Sequence, residues 1–307
     1  MNIDHAVTFE HTPSEHTQRD KKKELINTVP SRVSMQDTEC VAFLQWALPK
    51  LHMRWAGFRK IRRRVCKRVT RRLKSLGLLN VFAYRTYLET HPEEWARLDE
   101  VCWIPISRFY RDRAIFDFLA GTAFPSIAQA ALAKGSRCIR AWSAGCCAGE
   151  EPYTLMLLWQ LSLQSRFPDV KLEVLATDID ASQLDRAAEA CYPFGSLRDL
   201  PAPWIELAFE AREGRFCLRT EYRTGVRFQQ LEIRMKLPDG LFDLVLCRNL
   251  AFTYFDDALQ AGISKALQER IVPRGVMVLG RHEALPAGTV GFREIARNLH
   301  VYCSHCS

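Results

Sequence analysis

Two short segments contain residues whose types and spacing suit ligand binding or catalysis. The first is a run of small residues that begins at Ser143 and includes Gly145, Gly149 and Glu150. Small residues let the backbone approach a ligand closely, and the free N–H groups at a helix start suit a polar or anionic group. The second is Asp178, which ends another apolar stretch. An acid in that place can accept hydrogen bonds from both hydroxyls of a nucleoside ribose.

Both segments also have a purely structural explanation. A glycine pair is common in ordinary strand-to-helix turns and is weak evidence on its own, and Asp178 could cap the helix that follows it. Their combination favours a nucleoside ligand. Because the spacing does not separate a dinucleotide from S-adenosylmethionine, the residues alone indicate only an adenosine-type cofactor.

The elements that must position these segments alternate between strands and helices. Strands are predicted at Cys138–Ala144, Leu172–Thr177, Phe242–Cys247 and Gly275–Gly280. Helices are predicted at Glu151–Leu163, from Ser182 to about Ala190 and at Asp256–Arg270, followed by a hairpin around Phe292–Ile295 and His300–Cys303. This order predicts the α/β class, with a Rossmann-like, mostly parallel sheet covered on both faces. Ligands of such sheets lie beyond the carboxyl ends of the strands.

The alternation stops between Tyr192 and Met235. Three runs there have the composition of short strands, namely Arg215–Leu218, Tyr222–Gly225 and Val226–Leu231. With a turn around residues 223–225 they predict a small inserted antiparallel β subdomain over about residues 210–233.

The net charge of +8 belongs to one segment. Residues 54–74 hold eleven Lys and Arg and no acid, so the rest of the chain sums to 8 − 11 = −3. Apolar residues three or four apart from Trp55 to Leu76 predict an amphipathic helix, with Gly77 at its C-cap. Together with helices at Asp37, Val81–Glu89 and Pro92–Val101, this predicts a helical domain over residues 35–101.

The basic helix has two explanations. Charge runs are usually solvated helix faces, but eleven cations without an acid favour binding of an acidic surface. Nucleic acid is a less favoured partner, since no aromatic interleaving or nucleic-acid module accompanies the run.

The composition narrows the class of protein. Of the 307 residues, 48% are hydrophobic and 25% charged, an ordinary globular balance. No stretch approaches the roughly 20 apolar residues of a membrane span. Residues 1–34 are polar and mixed in charge, which predicts a mobile tail and not a signal peptide. Eleven cysteines in such a chain predict reduced thiols in a cytoplasmic protein.

The C-terminal residues His300, Cys303, His305 and Cys306 could bind a metal. Structural zinc sites need four well-placed ligands, and no second cluster accompanies this one. We therefore expect a free tail and no metal site.

Four blocks in order resemble the CheR family of chemotaxis-receptor glutamate methyltransferases, over about residues 37–303. They are Ser143–Thr154, similar to the family's cofactor loop; Arg72–Leu78, similar to the end of its basic recognition helix; Ser107–Asp112, similar to its Thr-x-Phe-Phe-Arg block; and Phe242–Asn249 with Tyr254–Asp256, similar to its strand-four signature.

The resemblance implies an S-adenosylmethionine-dependent methyltransferase that makes glutamate methyl esters and releases S-adenosylhomocysteine. It assigns cofactor contacts to Ser107, Arg111, Gly145, Glu150, Asp178 (at the ribose), Glu232, Ile233, Cys247 and Arg248, the last two on the adenosine side. It places Arg111 and Tyr254 at the reacting centre as the catalytic residues. The basic helix would meet an acidic helical protein such as a chemoreceptor cytoplasmic domain, and the inserted strands, residues 215–231, would dock the substrate.

Three departures bear on the acceptor. Pro105 stands where the family usually has Asn, one extra residue separates Asn249 from Tyr254, and Gly280-Arg-His-Glu283 replaces the usual Gly-His-Ser-Glu. Two alternatives to the family's activity therefore stay open: a related methyltransferase with a different protein or small-molecule acceptor, and a cofactor-sensing regulatory homologue without catalysis.

Overall fold

The computed structural model describes Met1 and residues 35–305. Apart from Met1, the expected N-terminal tail lies outside the described residues. Ten strands are described, β1 to β10: Cys138–Ala144, Lys171–Asp178, Cys191–Tyr192, Phe209–Arg212, Arg215–Leu218, Val226–Gln230, Phe242–Cys247, Ile271–Leu279, Phe292–Ala296 and Val301–Ser304.

The first five α-helices of the described residues form a helical domain with a core of its own. They are α1 Asp37–Ala47, α2 Trp55–Phe58, α3 Arg62–Ser75, α4 Val81–Thr90 and α5 Glu94–Cys102, with a 3₁₀ turn at Leu48–Leu51. One stripe of α3, made of Val65, Val69 and Leu73, is fully buried against these neighbours. The four-residue spacing of that stripe is the amphipathic pattern that the sequence shows.

The basic helix is broken near its start, contrary to the single helix that the periodicity predicts. Helix α2 ends at Phe58, and α3 begins at Arg62 after a turn in which Ile61 N–H donates to the Phe58 carbonyl. Apolar spacing continues across the break, so periodicity alone could not reveal it. The C-terminal end matches the prediction: Gly77 has φ +69 directly after the helix, and Leu78 N–H returns to the Leu73 carbonyl.

The seven-stranded main sheet has the order β6-β2-β1-β7-β8-β10-β9. Strands β6, β2, β1, β7 and β8 are parallel, and β9 and β10 form the expected antiparallel hairpin at one edge. At the carboxyl end Ala144 pairs with Thr177 and with Cys247. The loops after β1, β2 and β7 therefore lie together at the carboxyl ends of the strands, where ligands of α/β folds bind.

Helices cover both faces of this sheet. The helices that follow the helical domain are α6 Arg113–Phe118, α7 Phe124–Ala133, α8 Glu150–Leu158, α9 Ala181–Glu189, α10 Phe194–Leu197, α11 Ala202–Ala208, α12 Ala251–Tyr254 and α13 Asp257–Gln268. Of these, α10 packs beside β3 and α11 beside β4. A π-helical turn, Leu119–Ala123, joins α6 to α7, and another, Trp159–Leu163, extends α8 to the predicted end. The N-cap of α9 is Asp180, which accepts from Ser182 N–H.

The continuous helix Arg113–Ala133 is an exception to the expectation that no stretch approaches a membrane span. Its 21 residues are long and apolar enough, by length and composition, to cross a membrane. Half of its most apolar 18-residue stretch is buried, and residues such as Phe116, Leu119 and Phe124 lie in the main core beside the sheet. This helix is therefore a core helix of the domain.

The prediction for the inserted strands is partly wrong. The small antiparallel sheet has the order β3-β5-β4, so only Arg215–Leu218 of the three predicted runs belongs to it. Val226–Gln230 is instead a parallel edge strand of the main sheet, paired with β2 from Val174 to Asp178. Tyr222 lies in a 3₁₀ turn. The alternation of exposed and half-buried residues along an edge strand gave no sign of which sheet it joins.

The expectation of reduced thiols is wrong for Cys303, which is disulfide-bonded, and for two further pairs of cysteines. The expected free tail is wrong for Val301–Ser304, which form strand β10. Cys40 of α1 is bonded to Cys66 of α3, and Cys191 is bonded to Cys217, its direct partner across β3 and β5. Cys138, Cys146, Cys147, Cys102 and Cys247 are free. The pairs are far apart in sequence, so only the fold could bring them together.

Candidate functional site

The loop after β1 approaches the next strand through its backbone. Gly145 N–H and Cys146 N–H both donate to the Thr177 carbonyl, at 2.8 and 2.9 Å. Gly149, with φ +88, is the N-cap of α8, and a Cβ there would lie 2.9 Å from the Ala187 Cβ. The loop needs glycine at this position because of both its left-handed backbone and this close approach.

Asp178 closes the same loop from the end of β2. One carboxylate oxygen accepts Cys147 N–H at 2.8 Å, and the other accepts Asp180 N–H at 3.0 Å. Burial raises the pKa of Asp178, and these backbone hydrogen bonds oppose that shift. Each oxygen has a further lone pair, so the oriented carboxylate can accept two ligand hydroxyls.

Asp178 faces a cleft that is open to solvent, which we call the nucleoside chamber. It brings together Gly145, Asp178, Glu232, Ile233 and Tyr254 of the predicted site residues. Its other lining residues are Trp103, Ile104, Pro105, Cys147, Thr177, Ile179, Asp180, Gln183, Leu231, Asn249 and Leu250. Apolar walls with one oriented carboxylate are what an adenosine group requires, so the residues present fit the cofactor.

Glu232 has a partner that the sequence did not suggest. Both of its carboxylate oxygens accept from Arg234, which also makes two hydrogen bonds to Asp99 of α5 at 2.9 and 2.7 Å. Arg234 also lies over the Trp103 ring, 5.4 Å from its centroid. This network joins the wall of the nucleoside chamber to the helical domain.

A second cleft, which we call the arginine chamber, lies beside the first. Its lining residues are Ile61, Ile104, Ile106, Ser107, Arg108, Arg111, Gly145, Cys147, Glu151, Arg248, Asn249, Thr253 and Tyr254. Five of them, Ile104, Gly145, Cys147, Asn249 and Tyr254, also line the nucleoside chamber. The two chambers therefore share a wall, with Tyr254 in it.

Arg111 is held in the arginine chamber by neutral partners only. Its Nη1 donates to the Ile106 carbonyl at 2.7 Å, and its Nη2 lies 3.4 Å from the Asn249 Oδ1. The flanking residues Tyr110 and Asp112 have left-handed backbones, with φ +54 and +63. Among the described residues no carboxylate pairs with this guanidinium, so it can receive one from a ligand.

Arg248, for which the resemblance implies an adenosine contact, is held by two acidic residues of this chain. Its side chain is 2% exposed and pairs with Glu151 at 2.8 Å and Asp112 at 2.7 Å. It also donates to the Arg111 carbonyl at 2.9 Å. Arg248 lines the arginine chamber and not the nucleoside chamber, and it ties the Arg111 loop to α8.

Tyr254 lies between the two domains. Its ring is 5.0 Å from that of Phe58 and 6.1 Å from that of Trp103. Burial raises the pKa of Tyr254 to about 12, so the hydroxyl is protonated at neutral pH. Arg54 N–H donates to the Tyr254 carbonyl at 2.8 Å, and its guanidinium donates to the Thr253 and Phe252 carbonyls.

Two predicted cofactor residues line neither chamber. Cys247 is fully buried in the sheet, where burial raises the pKa of its thiol. Glu150 is buried at the start of α8, and one of its carboxylate oxygens has no hydrogen-bond partner. Burial raises the pKa of Glu150, while the Ser107 hydroxyl acts in the opposite direction. Glu150 thus lies behind Ser107, a residue of the arginine chamber.

Sequence reasoning missed Arg54, Asn249 and Glu283 as site residues. Asn249 and Glu283 both stand in segments that depart from the family pattern, and that was the available signal. Arg54 was counted only as a charge, and its role depends on contacts across 198 and 199 residues of sequence. Among the described residues no group of three or more His, Cys, Asp and Glu could hold a metal ion.

Comparison with known proteins finds a family and relatives that each match more than half of this chain. Residues 106–300 match the family described as CheR methyltransferase, SAM binding domain. The chain is 27% identical over 224 residues to a chemotaxis protein methyltransferase of Borreliella burgdorferi, covering 71% of this chain and 78% of that one. It is 31% identical over 226 residues to chemotaxis protein methyltransferase 2 of Pseudomonas aeruginosa, covering 71% and 77%.

Other similarities are less informative. An uncharacterized 104.1 kDa protein of Rhodobacter capsulatus is 34% identical over 227 residues, which is 72% of this chain but only 23% of that protein. The solved N-methyltransferase NodS from Bradyrhizobium japonicum, in complex with S-adenosylhomocysteine, has a TM-score of 0.29 and 13% identity, covering 54% of this chain and 70% of that one. That likeness is too distant to assign a function.

Proposed function

Because the chain belongs to the CheR methyltransferase family, we propose that it methylates glutamate carboxylates of a chemoreceptor-like protein. The family determines the cofactor, S-adenosylmethionine, and the reaction class, methyl transfer. The acceptor and the assignment of residues to roles are the proposal.

One observation carries it: the arginine chamber, with Arg111 unpaired by acid, shares a wall with the nucleoside chamber. A glutamate side chain that enters the arginine chamber meets a guanidinium able to make two parallel hydrogen bonds to its carboxylate. Because the chambers share a wall, that carboxylate would lie next to the cofactor in the nucleoside chamber.

The chemistry suits these residue types. A solvated glutamate carboxyl group has a pKa of about 4.3, so it is ionised at neutral pH and needs no general base. When bound, the cofactor supplies an electrophilic methyl group on a positively charged sulfur. The residues of the chain have to orient the carboxylate and exclude water, because the reaction cancels two opposite charges. Arg111 supplies the orientation, and the half-buried ring of Tyr254 helps to close the shared wall.

The surface of α3 and the preceding turn supports an acidic protein partner. Four of the eleven cations are used internally: Arg62 pairs with Asp37, Arg72 with Glu94, and Arg54 and Arg68 donate to backbone carbonyls. The other seven are exposed, and their side chains pair with no described residue: Arg59, Lys60, Arg63, Arg64, Lys67, Arg71 and Lys74. Ile61, between two of these residues, lines the arginine chamber. An acidic helix on this face would therefore lie at the chamber's entrance.

The inserted strands are a second contact in the proposal, now limited to β4 and β5. Since Val226–Gln230 belongs to the main sheet, residues 209–218 are the part of the insertion left to dock a substrate. We place the reaction in the cytoplasm, where such receptor domains lie.

The departures from the family pattern leave Tyr254 in a usable position. Asn249 takes a left-handed backbone, with φ +54, and the short helix α12 follows, so that Tyr254 lines both chambers despite the extra residue. Pro105 lines the nucleoside chamber. This arrangement supports a catalytic protein over a purely regulatory homologue.

The test is direct. Purified protein is incubated with methyl-labelled S-adenosylmethionine and a chemoreceptor cytoplasmic fragment, and mild alkali is added; labelled methanol is released only from carboxyl esters. We expect base-labile label, and an Arg111→Lys variant should lose about 10- to 100-fold in kcat, because one ammonium cannot make the paired contact. Its affinity for S-adenosylhomocysteine should change less than threefold. Absence of base-labile label with the wild-type protein would refute the glutamate acceptor, and full turnover by Arg111→Lys would refute the role of Arg111.

A further inference from the structure

The carboxylate of Glu283 accepts four hydrogen bonds near the two chambers, although Glu283 lines neither. Its residue is 2% exposed, and it lies four residues after the end of β8. One oxygen accepts Asn249 N–H at 2.7 Å and Gly280 N–H at 2.6 Å. The other accepts Leu250 N–H at 3.2 Å and the Thr253 hydroxyl at 2.5 Å. Burial raises the pKa of Glu283, and these hydrogen bonds oppose the shift.

The short helix in the segment that Glu283 holds has no side-chain cap of its own. Asn249 has a left-handed backbone, and Leu250, the N-cap of α12, has φ −129 and ψ −101 and no side chain able to cap. A helix start leaves N–H groups without intrahelical partners, and these need an acceptor from elsewhere. Glu283 supplies it from a distant part of the sequence, 30 to 34 residues away.

The same segment carries contacts to both catalytic residues. The Asn249 side chain lies 3.4 Å from a nitrogen of Arg111, and Tyr254 directly follows Thr253. On the opposite side, Gly57 presses so closely on the segment that a Cβ there would be 2.2 Å from the Thr253 carbonyl oxygen. The segment is thus held between Glu283 and the helical domain.

We propose that Glu283 is a positioning residue for methyl transfer, which fixes residues 249–254 so that Arg111 and Tyr254 face the shared wall of the chambers. The proposal rests on the proposed function for its catalytic consequence, but its structural claim concerns this chain alone. Gly280 belongs to the same device, because a Cβ there would lie 2.6 Å from the Glu283 carboxylate and 3.0 Å from Asn249 N.

The experiment combines hydrogen–deuterium exchange with kinetics on the Glu283→Gln variant. An amide has one accepting oxygen in place of two, so two of the four donors lose their acceptor and face an NH₂ group. We expect faster exchange confined to residues 249–254 and to Gly280, which also donates to Glu283, together with a kcat lower by about 10- to 100-fold, since a displacement of 1 Å has that effect. The KM of the acceptor and the Kd of S-adenosylhomocysteine should each stay within threefold. Glu283→Asp, which keeps the charge on a shorter stem, should recover part of the kcat.

A matched control separates positioning from general stability. Ile127→Val removes one buried methyl group from α7, in the main core, and should lower Tm without a selective change in exchange or kcat. In a double-mutant cycle with Arg111→Lys, the losses in kcat should be less than additive, because both variants disturb the same arrangement.

Each outcome decides the matter. Unchanged exchange at residues 249–254 in Glu283→Gln overturns the proposal whatever the acceptor is, and so does exchange that rises uniformly over the chain or a kcat equal to wild type. If wild-type protein forms no methyl ester while exchange rises selectively in the variant, the proposed acceptor fails and the positioning role stands.

Discussion

The nucleoside chamber and the arginine chamber share a wall, yet the loop after β1 and the loop that carries Arg111 are held in place by different means. At the nucleoside chamber, the loop after β1 is bound to the end of β2 by backbone hydrogen bonds and by one carboxylate, Asp178. At the arginine chamber, side chains connect segments that are more than 90 residues apart, as in Arg248 with Asp112 and Arg111 with Asn249. Backbone contacts between adjacent strands follow from the fold class, whereas side-chain networks depend on individual residues.

This difference has a consequence for how each chamber tolerates change. Fold-determined contacts survive most substitutions, because no single side chain provides them. A buried ion-pair network fails when one member is removed, because the remaining charges are left without partners. We therefore expect loss of stability to follow changes at the arginine chamber, and loss of cofactor affinity to follow changes at the nucleoside chamber.

The largest expected effect is that of Arg248→Met. This change leaves the half-buried carboxylates of Asp112 and Glu151 without their cation and should lower the free energy of unfolding by about 3–5 kcal/mol. Urea denaturation measures it. Arg113→Met is the matched control, since Arg113 is 71% exposed and its pairing with Asp117 should contribute under about 0.5 kcal/mol. A loss below about 1 kcal/mol for Arg248→Met would contradict the distinction between the chambers.

The second effect is that of Asp178→Ala on the cofactor. Removal of a carboxylate that accepts two ligand hydroxyls should cost about 2–3 kcal/mol of binding free energy, or roughly 100-fold in the Kd of S-adenosylhomocysteine. Isothermal titration calorimetry measures this. Asp180→Ala, in the same chamber but without the ribose role, provides the comparison. Equal losses for the two variants would contradict the assignment of Asp178.

A smaller effect is expected from charge reversal on the exposed face of α3. Lys67→Glu with Arg71→Glu should raise the KM for an acidic receptor fragment about tenfold while kcat changes little, since these cations contact the partner outside the reacting centre. The difference from wild type should shrink at high salt. Lys134→Glu reverses an exposed cation after α7 and should leave KM unchanged. A KM independent of salt in the wild-type protein would argue against electrostatic docking.

The smallest effect concerns Tyr254 and pH. A tyrosine hydroxyl in an unfolded chain has a pKa of about 10, and burial raises that of Tyr254 to about 12. The folded state therefore binds the proton more tightly, which stabilises the fold fully below pH 10 and less as pH rises to 12. Relative to Tyr254→Phe, wild-type stability should fall over that interval, measured by urea denaturation at each pH. Parallel curves for the two proteins would show that Tyr254 is not buried in solution.

Much of the fold could be predicted from local patterns. The bounds of β1 and β7 match the prediction, because a short, mostly apolar run favours a buried strand where helices alternate with it. The predictions were wrong where one local sequence pattern fits more than one tertiary arrangement. Val226–Gln230 has the composition of a strand in either sheet, and periodicity from Trp55 to Leu76 continues across the break between α2 and α3.

The sequence by itself determined the α/β class, the cofactor loop and the acid at the end of β2, because these depend on short-range patterns and on the common direction of parallel strands. The tertiary structure alone decided which residues meet in the arginine chamber. It showed Arg248 as a clamp between Asp112 and Glu151, Arg54 as the contact between domains, and Glu283 as the acceptor for residues 249–254. Such contacts join segments separated by up to 199 residues, and no local spacing encodes them.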